Sequence, residues 1–126
     1  MTFPSSAKAI TFILTRDRPG SIAFYRDVLG FGLVSEDMFA AVFDLNGTML
    51  RISTVETHQP GPSTVLGWDV PDIAEAAGAL KAKGVEFNIY EGFGQDALGI
   101  WTSPASDARV AWFKDPDGNV LSLTQF

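Results

Sequence analysis

Several things are missing from this 126-residue chain, and each absence closes off chemistry. There is no cysteine, so disulfides, thiolate metal sites and a cysteine nucleophile are excluded. There is one histidine, His58, so a site needing two or three imidazoles cannot come from a single copy. Cations are scarce: nine Lys and Arg stand against 15 Asp and Glu, a net charge of −6. No Lys/Arg cluster is visible, which argues against nucleic acid or an anionic membrane as partner. No apolar run approaches the ~20 residues of a membrane span, and MTFPSSAKA has no long apolar core. A soluble cytoplasmic domain is expected.

What remains is rich in apolar residues (46%) and moderately charged (19%), the composition of a folded single domain. AITFILT (residues 9–15) is β-branched and aromatic, a strand signal. Asp17 and Pro19 then open a helix. Ile22, Tyr25, Val28 and Leu29 recur at helical spacing, and Gly30 stops it. Strands are expected at 31–37, 39–45 and 48–55, the last two joined by Asn46-Gly47, a strong hairpin signal. A Pro/Gly-rich linker follows at 57–62.

The second half repeats the order. A strand at 64–70 precedes a helix capped by Asp72 and Glu75, with Ile73, Ala76, Ala77 and Leu80 on one face and Gly84 as its stop. Strands are expected at 85–90 and 100–102. A glycine-rich excursion, EGFGQDALG, separates them. A hairpin at 109–114 and 119–124 turns on Asp115-Pro116-Asp117-Gly118, which suits a type I turn with a glycine bulge. The expectation is an α+β fold of two βαβββ modules, about 7–56 and 63–126, within one domain.

Three stretches carry a resemblance: FYRDVLGFGL (24–33), VPDIAEAAGALKAKGVEF (70–87) and WFKDPDGNVLSL (112–123). Together they resemble the glyoxalase/bleomycin-resistance/dioxygenase superfamily, also called the vicinal oxygen chelate family. The resemblance implies paired βαβββ modules with curled mixed sheets around an open half-barrel pocket, often completed in a homodimer. In metal-using members it implies ligands, usually His or Gln, Glu, His and Glu, on four strands. The matching positions here are Ile10, Arg51, Val65 and Ser122. Ile and Val have no lone pair, Arg is a permanent cation and Ser is a weak neutral ligand. The inherited metal site is therefore rejected, and no cofactor is expected.

Strand alternation assigns the remaining candidates. Ile10 and Phe12 share a face, as do Met49, Arg51 and Ser53, and likewise Val65, Gly67 and Asp69. Leu121 and Leu123 oppose Val120, Ser122 and Thr124. Two readings of Arg51 are open: an anchor for a ligand oxygen, or a structural ion pair with Asp69, Asp44 or Glu36. Phe93 and Trp101 flank the glycine-rich excursion, where relatives place a covering loop. Trp112 stands between core and pocket, Phe39 at a pocket mouth, Trp68 in the core and His58 in an exposed loop. The ligand-binding set is thus Ile10, Phe12, Arg51, Val65, Asp69, Phe93, Trp101 and Ser122. Three functions compete. One is a metal-free apolar pocket for a small anionic or aromatic ligand. Another is a lyase, isomerase or dioxygenase with a non-standard metal site. The third is an orphan with a closed pocket.

Overall fold

The strands form where alternation and β-branching demand them, and a computed structural model describes residues 2–126. It divides into two units, one running up to His58 and the other from Gln59 to Phe126. The fold is α+β, with two four-stranded mixed sheets, few helices and no closed barrel.

In the first unit, β1 (Ile10–Thr15) leads into α1 (Arg18–Ala23). The Asp17 carboxylate accepts from the Gly20 amide at 3.2 Å, with Pro19 in the first turn. The expected single helix widens after Ala23 into a π-helical turn, Phe24–Val28. That turn seats Tyr25, which is fully buried, with its ring centroid 5.3 Å from Phe24 and 6.1 Å from Phe43. β2 (Gly32–Glu36), β3 (Ala40–Leu45) and β4 (Thr48–Thr54) follow as a meander. Asn46 and Gly47 both take positive φ, 54° and 109°, as the favoured two-residue hairpin turn requires.

The sheet order is β1-β4-β3-β2, with β1 parallel to β4. Register fixes the faces. Ile13, Phe43, Leu50 and Ile52 are buried on the helix side. Ile10, Phe12 and Leu14 lie opposite Met49, Arg51 and Ser53 on the other side, which stays open.

The second unit repeats this topology. β5 (Thr64–Asp69), α2 (Ile73–Ala82), β6 (Trp101–Thr102), β7 (Arg109–Lys114) and β8 (Val120–Gln125) give the order β5-β8-β7-β6, again with first and last strands parallel. Asp72 caps α2 through the Glu75 amide at 3.0 Å, and the Gln125 side chain accepts from the Ile73 amide at 2.9 Å. Ile73 and Ala77 are buried, and α2 rests on β7 and β8. The strand expected at 85–90 does not form. Only Phe87 bridges to β7, at Phe113, and the chain then leaves the sheet edge. No helix is long and apolar enough to cross a membrane among the described residues.

Candidate functional site

The sequence RVAWFK divides β7 by parity: Ala111 and Phe113 go to the core, Val110, Trp112 and Lys114 to the open face. On that face Trp112 lies opposite Ser122 and Val110 opposite Trp101. The glycine-rich excursion then brings two more rings. The Asn88 amide donates to the Trp112 carbonyl at 2.7 Å, which places Tyr90 beside β7. Phe93 is carried between Gly92 and Gly94, both at positive φ (85° and 68°), a backbone that glycine adopts without strain.

One side chain fastens this loop. The Gln95 amide accepts from the Tyr90 N–H at 2.7 Å and donates to the carbonyls of Asn88 (2.8 Å) and Gly99 (2.7 Å). The Asp96 carboxylate accepts from the Leu98 and Ile100 amides, both at 2.9 Å. So held, four rings form a wall. Tyr90 is 5.4 Å from both Phe93 and Trp112, and Phe93, Trp101 and Trp112 are mutually 6.0 Å apart by centroid. These spacings fall in the range of favourable tilted and edge-to-face pairs. Phe93 is nevertheless 47% exposed, so the wall presents ring surface to solvent. A cavity of about 280 Å³ opens against Tyr90, Phe93 and Trp112, with Pro62, Ser63 and Thr64 on its other side.

Next to Trp112 across the sheet lies Ser122, whose register partner on its other side is Gly67. A Cβ built on Gly67 would lie only 2.5 Å from the Ser122 Oγ and 3.4 Å from its carbonyl oxygen. Gly67 therefore exists here because Ser122 fills the space a side chain would need. Gly67→Ala is expected to destabilise the protein by about 1–3 kcal/mol through overpacking. Adding Ser122→Ala should recover most of that loss. Additive losses in thermal melts of the double variant would contradict this account. Val65 is exposed next to Gly67, and Asp69 lies exposed at the end of β5, opposite Thr124.

In the first unit, Ile10, Val34, Val42 and Met49 line a separate cavity of about 390 Å³ on the open face. Phe12 is 60% exposed and pairs in register with Arg51. Arg51 does have a structural partner, but it is Asp37 at 3.1 Å, and not the expected Asp69, Asp44 or Glu36. Asp44 instead accepts from the Gly47 amide within its hairpin, and Glu36 sits 3.6 Å from Arg18. Asp37 organises the β2–β3 turn. Its Oδ1 accepts from the amides of Phe39 and Ala40, both at 2.8 Å, and its carbonyl accepts from Arg18 at 2.6 Å. Those two backbone donors, and then Arg51, hold the Asp37 carboxyl below its ordinary range.

The sequence-predicted residues thus fall into two groups. Ile10, Phe12 and Arg51 share the open face of the first unit. Val65, Asp69, Phe93, Trp101 and Ser122 belong to the second, where Phe93 and Trp101 meet in the aromatic wall. Sequence reasoning missed Tyr90 and Gln95, and left Trp112 undecided. The parity of Trp112 with Ser122 was the available signal for it. His58 is half-buried, not exposed.

Metal chemistry is a poor match to this donor set. Among the described residues no group of three or more His, Asp or Glu side chains is placed to hold an ion. At the four family positions stand two hydrocarbons, a cation already paired with Asp37, and a hydroxyl packed against Gly67.

Comparison with known proteins gives a consistent picture. Residues 9–123 match the family model described as Glyoxalase/Bleomycin resistance protein/Dioxygenase superfamily. Among solved structures, a bleomycin resistance determinant encoded on transposon Tn5 is 25% identical, with 95% of this chain and 98% of that one aligned at a TM-score of 0.74. A glyoxalase family protein from Enterococcus faecalis is 20% identical over 95% and 98% of the two chains, TM-score 0.76. A superfamily member from Sphaerobacter thermophilus is 24% identical over 96% and 98%, TM-score 0.74. No curated protein matches.

Proposed function

Because this chain belongs to the glyoxalase/bleomycin resistance protein/dioxygenase superfamily, we propose that it is a metal-independent binding protein for a small, planar, aromatic ligand. The observation that carries this reading is the four-ring wall of Tyr90, Phe93, Trp101 and Trp112, with Phe93 exposed and a cavity opening against Tyr90, Phe93 and Trp112. Apolar walls with a few placed polar groups are how small-molecule sites are generally built. Gln95 ties the backbone of the loop that carries Tyr90 and Phe93, so that loop loses little freedom when a ligand stacks on its rings. The likeness to a bleomycin resistance determinant supports a reading in which the ligand is a small molecule.

A metal-using enzyme of this fold would need a ligand set, and among the described residues no group of three or more His, Asp or Glu is placed to supply one. The same reading takes the working form as a cytoplasmic homodimer, supported by Phe12, Val34 and Met49 exposed on the open face of the first unit.

A thermal-shift and calorimetric screen with planar aromatic probes tests the proposal. At about a hundredfold excess over Kd, binding should stabilise the fold by about 2.7 kcal/mol, a shift of several degrees. Elemental analysis after dialysis should find no stoichiometric Zn, Ni, Mn or Fe. A retained equivalent of metal, or no stabilisation by any pocket-sized aromatic, would overturn it.

A further inference from the structure

A second, larger cavity of about 630 Å³ adjoins the aromatic wall and shares Tyr90 and Pro62 with the smaller one. Three of its lining side chains can donate. Lys114 contributes an ammonium group and Asn88 a side-chain amide. The Tyr90 hydroxyl accepts from the Asn88 amide at 3.2 Å, which leaves its own proton free to point at a guest. No carboxylate lines this cavity, in a chain where acidic residues outnumber basic ones by 15 to nine. Lys114 makes no ion pair among the described residues. Its sequence neighbour Asp115 is occupied, since both carboxylate oxygens accept from donors within the Asp115–Asn119 turn. Lys114 also shares its face of β7 with Trp112, two residues away, so their backbone positions are roughly 7 Å apart along the strand.

From this juxtaposition we infer that the ligand is an aromatic carboxylate. Its ring lies on Tyr90 and Trp112, and its anionic group enters the neighbouring cavity to meet Lys114, Asn88 and the Tyr90 hydroxyl. The inference rests on the aromatic-binding reading and adds the ligand's charge and orientation. It also moves the anion anchor from Arg51, which is engaged by Asp37, to a cation that is not.

Isothermal titration with naphthoate and with its neutral counterpart, naphthalenemethanol, separates the two ideas. The wild-type protein should bind naphthoate about tenfold more tightly, the scale of one hydrogen bond to a charged group. Lys114→Met should lower naphthoate affinity to that of the alcohol and leave the alcohol unchanged. Lys114→Arg should retain the preference. Lys114 is exposed, so the variants should melt like the wild type. Equal affinity of the wild-type protein for both probes overturns the inference and leaves aromatic binding standing. A preference that survives in Lys114→Met overturns it too. Failure of both probes to bind removes the aromatic-binding reading together with it.

Discussion

Replacing Trp112 by alanine should reduce affinity for a planar aromatic ligand by at least tenfold, the largest functional effect expected of any single side chain here. Trp112 touches Tyr90, Phe93 and Trp101, so it is the ring through which the wall is joined. Aromatic pairs contribute about 0.5–1.5 kcal/mol each beyond burial. Truncation forfeits the ligand's stacking surface and also lets the other three rings relax. Ser122, its register partner, gains solvent. Trp112→Phe should keep part of the affinity because a smaller ring still fills the same face. Calorimetric titration of both variants decides it: full affinity in Trp112→Ala would mean the ligand binds elsewhere.

The largest stability loss is expected at the Asp115-Pro116-Asp117-Gly118 turn. Asp115 is only 4% exposed, yet its carboxylate is well served. One oxygen accepts from the amides of Asp117 and Asn119, both at 3.0 Å, and the other from the Asn119 side chain at 2.8 Å. The backbone closes the same loop, with Asp115 N–H to the Asn119 carbonyl at 3.0 Å and Gly118 N–H to the Asp115 carbonyl at 2.9 Å. Asp115→Ala strips the acceptor from three donors, and Asn119 is itself buried. Each unsatisfied buried group costs about 1–3 kcal/mol. Part of that will relax, so a net loss of about 3 kcal/mol and a Tm lowered by about 10 °C are expected. Thermal denaturation followed by circular dichroism measures it. A shift of a degree or two would mean the turn is held by its backbone alone.

Much of the architecture was legible because local chemistry decides it. The paired Asp and Gly that start and stop each helix, the Asn46-Gly47 turn and the alternation within strands all act over a few residues, and the structure reproduces them. The π-helical turn at Phe24–Val28 was not legible. It depends on fitting Tyr25 against Phe43, a contact made only in the folded unit. The missing strand at 85–90 has a similar cause. The apolar pattern is present, but pairing with β7 stops at Phe87 and Asn88, and Gln95 then ties the backbone of Tyr90 and Gly99 into a loop. The candidate site was half legible. Phe93 and Trp101 could be named from their place beside the glycines. Their meeting with Tyr90 and Trp112 required the loop's hydrogen bonds, which no periodicity encodes. The partner of Arg51 escaped for a different reason: Asp37 lies in a turn, outside the strand parity used to search for it.

The parallel pairing of β1 with β4 and of β5 with β8 also governs the order in which the protein can be made. The meander strands of the first unit meet as soon as their hairpins close, but β1 has no partner until β4 has been synthesised. In the second unit β5 waits still longer, through α2, the glycine-rich loop and β7, because among the described residues it pairs with β8 alone. On a growing chain, each opening strand therefore stands unpaired while the rest of its own unit is translated. Val65 and Phe12, exposed in the finished molecule, sit on those waiting strands. In each unit the opening strand is thus made first and paired last, and its outer edge stays unpaired within the sheet.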